Sequence, residues 1–257
     1  MGYKMVFLDV DGTLLNEEKN IPADTQEAVA SLMRNGIEVA FATGRAPYHL
    51  RRYAEQLGIR SYIAYNGAYA VHNGKVLYDR PMYPDPLRKL ARIADAARHP
   101  LVYFGKENCY ASHGALHPDL TRTFSKLKLD LPCGPYSSAV MENIYQVMLF
   151  CPETDDRLYE SIPELQFLRG DAYYVDVCAT GETKANGIRQ MISRLGIAPG
   201  EIVAFGDGVN DIEMLEFAGM GIAMGNAPPA VQASADWVTG TADEGGIVHA
   251  LLHLQLI

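Results

Sequence analysis

The sequence predicts a doubly wound, mostly parallel α/β core sheet interrupted by an inserted α+β domain. Three observations carry that prediction. Short apolar runs alternate with amphipathic helical stretches at both ends of the chain, the rhythm of parallel strands joined by crossover helices. These runs end at polar or turn residues, as buried strands do where they leave a sheet. Between them, from residue 84 to 182, the alternation gives way to hairpin-like and mixed patterns. The chain has 257 residues, 48% of them hydrophobic and 21% charged, which is ordinary globular composition with material for a sizeable core.

The first strand is predicted at Met5–Leu8, and it stops at Asp9-Val10-Asp11-Gly12-Thr13. Pro22 and Gly36 bracket an amphipathic helix, with Ala28, Val29, Leu32 and Met33 at helical spacing. A second strand, Ile37–Ala42, ends at Thr43-Gly44-Arg45. A helix from Pro47 to Gly58 and a third strand, Tyr62–Tyr65, follow, the latter closed by Asn66-Gly67. Tyr69–Tyr78 then alternates around Asn73-Gly74, a strong hairpin signal. The prolines at 81, 84 and 86 suit a linker into the insert.

Within the insert the patterns predict a helix at Leu87–Arg98, strands near Leu101–Phe104 and Asn108–Ala111, and a helix near Leu116–Leu127. Further on they predict a strand at Tyr145–Phe150, a helix at Asp155–Ser161, and strands at Leu165–Leu168 and Tyr173–Val177. The parallel rhythm resumes at Lys184 with a helix running to Gly196. A buried strand at Glu201–Phe205 precedes the turn Gly206-Asp207-Gly208-Val209-Asn210-Asp211. Then come a short helix, a strand at Gly221–Met224, a helix opened by Pro228, a strand near Trp237 and a final helix from Gly246. The expected domains are residues 1–83 with 183–257, and 84–182.

A formal net charge of −9 argues against non-specific nucleic-acid binding. Neither a signal peptide nor an apolar run of membrane-spanning length is visible, and Cys109, Cys133, Cys151 and Cys178 form no closely spaced pair. The expectation is a cytoplasmic protein with reduced thiols and no membrane partner; the oligomeric state is not legible.

Four polar segments fall at strand ends or helix starts: Asp9-x-Asp11, Thr43-Gly44-Arg45, Lys184, and Asp207-x-x-Asn210-Asp211. In open α/β sheets ligands bind outside the carboxyl ends of the strands. Asp9, Asp11 and Asp207, with Asp211 behind them, make a hard-oxygen pocket of the kind magnesium prefers. The Thr43 hydroxyl, the Gly44 amide and the Lys184 ammonium supply donors for phosphoryl oxygens. Each piece alone has a plainer reading as a cap, a turn or a solvated helix start. Together they point to phosphate chemistry.

These segments resemble the motifs of the haloacid dehalogenase-like (HAD) phosphohydrolases. Asp9-Val10-Asp11-Gly12-Thr13 matches the first motif, Thr43 the second, Lys184 the third and Gly206–Asp211 the fourth. Tyr65-Asn66-Gly67-Ala68 and Ala223-Met224-Gly225-Asn226-Ala227 look like the Cof-like subgroup, although Ala185 stands where that subgroup usually has glycine. The resemblance implies a Rossmann-like core, a cap formed by the insert, and Mg2+ as cofactor. It implies a small phosphorylated metabolite as substrate, a sugar phosphate or a phosphorylated cofactor. It further implies Asp9 as nucleophile, Asp11 as general acid and base, and Thr43, Gly44, Lys184 and Asn210 on the phosphate. Asp9, the Asp11 backbone carbonyl and Asp207 would hold the metal, with Asp211 as an orienter or a ligand through water. Arg45 is expected to reach substrate or to pair with a carboxylate, the latter favoured. In the insert, His113, His117 and Arg122 are weaker candidates for the leaving group, with a solvated loop and helix face as the plainer reading. The alternatives are a phosphotransferase or mutase using the same aspartyl-phosphate, and a non-catalytic magnesium- or phosphate-binding module.

Overall fold

The computed structural model describes residues 2–112, 117–134 and 143–257. The chain divides into two compact units. The first comprises Met1–Arg45, Leu50–Asp79 and Thr183–Ile257; the second comprises Ala46–His49 and Arg80–Glu182.

In chain order, the first unit opens with β1 (Met5–Leu8), α1 (Ala23–Arg34), β2 (Glu38–Ala42), α2 (Pro47–Leu57, whose first turn falls in the second unit) and β3 (Tyr62–Ala64). The hairpin β4 (Tyr69–His72) and β5 (Lys75–Asp79) completes this segment. Among the described residues the second unit holds α3 (Pro84–Ala97), β6 (Leu101–Gly105), β7 (Cys109–Ala111), α4 (Pro118–Lys126), β8 (Ile144–Leu149), β9 (Leu165–Arg169) and β10 (Val175–Ala179). The chain then returns to the first unit with α5 (Lys184–Leu195), β11 (Ile202–Gly206), α6 (Ile212–Phe217), β12 (Met220–Ala223), α7 (Pro229–Gln232), β13 (Trp237–Val238) and α8 (Gly246–His253).

The first unit's strands form an eight-stranded sheet in the order β13-β12-β11-β1-β2-β3-β4-β5. It is parallel from β13 to β3 and antiparallel through the hairpin. Strand β1 lies at its middle, with Val6 beside Val203 of β11 and Val39 of β2. All four β1 side chains are buried, alternating between two layers. Val6 and Leu8 join the layer of α1 and α8, with Val29, Leu32, Ile247 and Leu251. Met5 and Phe7 join the layer of α5, with Ile188 and Met191. A strand covered on both faces reads as a continuous apolar run, which is why its polar terminus stands out in sequence. The β4–β5 turn uses Asn73 (φ 48°) and Gly74 (φ 80°), the successive positive angles that an Asn-Gly hairpin requires.

The second unit's strands form a five-stranded antiparallel sheet, β7-β6-β8-β10-β9. Leu87, Leu90 and Ala94 of α3 pack on Tyr103, Val147, Leu149 and Val177. The fold class read from the sequence is therefore the observed one, with local corrections. Glu153–Tyr159 is a 3-10 segment where an α-helix is expected at Asp155–Ser161; the stretch is bounded by Pro152 and Pro163, and tight short turns suit such a span. The strand expected at Tyr173–Val177 starts at Val175, because Gly170 and Tyr174 close a hairpin loop, with the Gly170 N–H donating to the Tyr174 carbonyl at 3.1 Å. The third strand ends at Ala64, since Tyr65 turns to φ 53°. His113 and Leu116 lie outside the described residues.

Candidate active site

At the carboxyl end of β1, the Asp9 N–H donates to the Phe205 carbonyl at 3.0 Å, keeping that residue in the sheet's register. The chain then turns at Gly12 (φ 84°). A side chain there would collide with the Asp207 carboxylate, so the close approach of the loops after β1 and β11 depends on glycine.

Lys184 is the first residue of α5, whose N-cap Thr183 accepts from the Asn186 N–H at 3.2 Å. Its side chain is 1% exposed and donates to Asp9 Oδ1 and Asp211 Oδ1, both at 2.6 Å. Asp211, fully buried, uses Oδ2 to accept the N–H groups of Asp207 (2.9 Å) and Gly208 (2.8 Å). One oxygen of Asp211 thus holds the loop after β11 and the other holds Lys184, the behaviour of an orienting group. Asp207 is held in turn by Thr13 Oγ1 on Oδ1 and by Asn226 Nδ2 on Oδ2, each at 3.0 Å. Asn226 Nδ2 also donates to the Gly12 carbonyl at 2.9 Å.

Asp9, Asp207 and Asp211 offer oxygens within 4.8 Å of one another. Burial pushes the Asp9 carboxyl well above its usual range; Lys184 opposes the rise, and Asp211 and Asp207 add to it. Burial and then Asp211 raise Asp207 to about 6 against the hydrogen bond from Thr13. Lys184 is held protonated because Asp211 and Asp9 outweigh its own burial. Three carboxylates with one ammonium are overloaded with negative charge. That surplus, carried by hard oxygens, fits a small divalent cation such as magnesium.

Asp11 faces a different environment. Arg45 Nε and Nη2 reach its two oxygens at 2.6 and 2.8 Å, and Lys19 Nζ reaches Oδ1 at 2.9 Å. Burial alone would raise its pKa, but the hydrogen bonds and charges of Arg45 and Lys19 together hold it down at about 2. The expected pairing of Arg45 with a carboxylate is what the structure contains. Thr43 is buried beyond β2, where its Oγ1 accepts the Arg45 N–H at 3.1 Å. Gly44 lies against the Asn66 side chain, and Asn210 Nδ2 donates to Asn66 Oδ1 at 2.8 Å.

The first unit thus gathers Asp9, Asp207, Asp211 and Lys184 into one contact network, sets Asp11 beside it on Arg45, and links Asn210 to the Thr43–Gly44 turn through Asn66. The weaker candidates of the insert have structural partners. His117 caps α4 by accepting the Asp119 N–H at 3.3 Å, and Arg122 pairs with Asp119 and stacks on Tyr173, 3.4 Å from the ring centre. Sequence reasoning assigned no role to Thr13, Lys19, Asn66 or Asn226. Thr13, Asn66 and Asn226 lie within quoted motifs, whereas Lys19 carries no sequence signal beyond lying in the turn after them.

Open α/β sheets bind their ligands at the carboxyl edge, and here that edge carries an acidic cluster and a buried lysine. The sequence profile of the haloacid dehalogenase-like hydrolases matches residues 6–251. The chain is 38% identical over 257 residues to "Putative phosphatase YkrA" of Bacillus subtilis (strain 168), with both chains covered fully. It is similar to the crystal structure of a hypothetical protein from Geobacillus kaustophilus HTA426, at 44% identity, a TM-score of 0.90 and full coverage of both. It is also similar to the HAD subclass IIB sugar phosphatase BT4131, at 31% identity and a TM-score of 0.89, covering 99% of this chain and 100% of that one. The chain belongs to the haloacid dehalogenase-like hydrolases. Among the described residues no helix is long and apolar enough to cross a membrane.

Proposed function

We propose that this protein is a magnesium-dependent phosphatase that hydrolyses a small phosphorylated metabolite, a sugar phosphate or a phosphorylated cofactor, through an aspartyl-phosphate on Asp9. The observation that carries the reading is the contact of Lys184 with both Asp9 and Asp211 at 2.6 Å, within a cluster whose third carboxylate is Asp207. The family membership and the likeness to a sugar phosphatase support the same reading.

Asp9, Asp207 and the backbone carbonyl of Asp11 would hold the magnesium ion, with Asp211 orienting from behind. When bound, the ion supplies charge neutralisation to the phosphoryl oxygens and to the carboxylates. An Asp9 oxygen forms a bond to phosphorus as the ester P–O bond breaks, and Asp11 passes a proton to the departing oxygen. Water then attacks the acyl phosphate while Asp11 takes up its proton, releasing inorganic phosphate and restoring Asp9. Thr43, the Gly44 amide, Lys184 and Asn210 hold the phosphoryl oxygens, so that positioning and charge supply most of the rate. Held by Arg45 and Lys19, Asp11 is an ionised carboxylate of lowered basicity, so its base step requires that clamp to loosen. Its acid step requires it to leave that clamp with a proton. Residues 84–182 act as a cap that selects the leaving group.

Turnover of p-nitrophenyl phosphate with magnesium, abolished by chelation, tests the reading. Asp9→Asn is expected to lower turnover by at least about 10⁴-fold with the fold retained. An active Asp9→Asn protein removes the covalent mechanism.

A further inference from the structure

The turn Tyr65–Gly67 contributes no ligand to the mechanism above, yet it touches three of the four segments that do. Its backbone is held in a conformation that side chains rarely adopt: Tyr65 and Asn66 have φ of 53° and 51°, one after the other. A bulky aromatic residue in the left-handed region is disfavoured and persists only where its surroundings enforce it. Here the Tyr65 N–H donates to the Arg45 carbonyl at 3.3 Å and the Asn66 N–H to the Thr43 carbonyl at 3.1 Å. On the other side, Gly67 (φ 114°) lies so close to the Thr183 carbonyl that a Cβ would overlap it, and a Cβ on Gly187 would stand 2.9 Å from the Gly67 Cα. The turn is therefore wedged between the strand-end loop carrying Thr43 and Gly44 and the start of the helix carrying Lys184.

Asn66 adds the third link. It is 1% exposed, its Oδ1 accepts from Asn210 Nδ2 at 2.8 Å, and a Cβ on Gly44 would stand 3.0 Å from its Nδ2. An asparagine amide presents two N–H donors on one side and an acceptor on the other. With one Asn210 N–H given to Asn66, the second N–H is left to donate to an anion. Reversing the Asn210 amide would set its oxygen against Asn66 Oδ1 and present an acceptor to a phosphoryl oxygen.

We propose that Asn66 is a positioning residue that fixes the Asn210 amide with its donor toward the phosphoryl group and ties it to the Thr43–Gly44 loop. This rests on the phosphatase reading of Asn210. Asparagine suits the role because it tolerates the left-handed backbone and supplies the acceptor in the same side chain.

The test is binding of inorganic phosphate in magnesium buffer, measured by calorimetry, for wild type, Asn66→Gly, Asn210→Ala and the double variant. Glycine keeps the positive φ while removing the acceptor. Asn66→Gly and Asn210→Ala are each expected to weaken phosphate about 10-fold, the loss of one hydrogen bond to a charged group. The double variant is expected to bind no more weakly than Asn210→Ala, because Asn66 acts through Asn210. Should Asn66→Gly fail to fold, Asn66→Ser, too short to reach Asn210, takes its place with the same expectations. Unchanged affinity in the Asn66 variant, or a double-variant loss equal to the product of the single losses, overturns the proposal. Failure of the phosphatase reading is seen separately, as absence of aryl phosphate turnover by wild type.

Discussion

In the first unit, Asp9, Thr43, Asn66, Lys184 and Asp211 are buried polar side chains drawn from distant segments; Lys184 and Asp9 are 175 residues apart. In the second unit, ion pairs such as Arg88–Asp85 and Arg122–Asp119 join exposed neighbours three residues apart. Exposed pairs of that kind add little to stability, whereas a buried ion is tolerated only when its partners compensate for lost hydration. The first unit thus maintains a costly charged cluster that its fold alone does not require, and the second unit has none comparable among the described residues. Charged groups are concentrated where burial is most expensive in the first unit, and lie at exposed positions in these pairs of the second.

The contrast can be broken most severely at Lys184. Lys184→Met leaves Asp9, Asp207 and Asp211 without their ammonium. At pH 8 and without magnesium it is expected to destabilise the protein by about 3–5 kcal/mol in chemical denaturation, and, assayed with magnesium, to abolish aryl phosphate turnover. A variant as stable as wild type would mean that the cluster does not depend on this charge.

Arg45→Ala frees Asp11 from its bidentate partner. Because Arg45 holds Asp11 down at about 2, its removal is expected to raise the Asp11 pKa and, since Asp11 must carry a proton in the step that kcat/KM reports, to move the alkaline limb of the kcat/KM profile to higher pH. An unmoved alkaline limb would show that Asp11 is not the group titrating there.

Metal-free stability provides a gentler probe. Asp207 has a folded-state pKa of about 6 against an ordinary 3.8, so the folded protein binds the extra proton more tightly than the unfolded chain. Its contribution is fully present below about 4 and is lost as pH rises through about 6. Asp11, depressed to about 2, contributes above 3.8 and loses that contribution as pH falls through 2. Without metal, melting temperature is expected to rise as pH drops from 7 to 5, and Asp207→Asn should flatten that rise. Magnesium, which competes with the proton, should raise the melting temperature more at pH 7 than at pH 5.

The smallest effect is expected in the second unit. Arg122→Ala removes an exposed ion pair and a stacking contact with Tyr173, and should change stability by no more than about 1 kcal/mol. A larger loss by denaturant titration would place hidden structural weight in the insert.

The sheet and its polar edge are legible in the sequence because β1 is buried on both faces: its apolar run stops abruptly at Asp9 and Asp11, which marks where the strand leaves the core. Lys184 is legible only through its company, since a lysine opening a helix is usually solvated. The network behind these residues is not. Lys19 reaches Asp11 because the chain after Gly12 folds back on itself, and Asn226 reaches Asp207 across 19 residues; neither contact follows from spacing. Tyr65 reads as the end of a strand because aromatic residues favour strands, but it turns to φ 53°, with its N–H on the Arg45 carbonyl instead of a strand partner. The insert's strand at Val175 starts two residues later than its sequence suggests for a related reason, Tyr173 and Tyr174 having strand propensity inside a loop.

Attack of the Asp9 carboxylate on phosphorus within this cluster is the step on which the proposed function turns. The most direct measurement is acid quenching of the protein during turnover of p-nitrophenyl phosphate, followed by peptide mass spectrometry. A phosphoryl group on Asp9 in wild type, absent from Asp9→Asn, is the expected result; steady turnover with no phosphoryl group on Asp9 would contradict it.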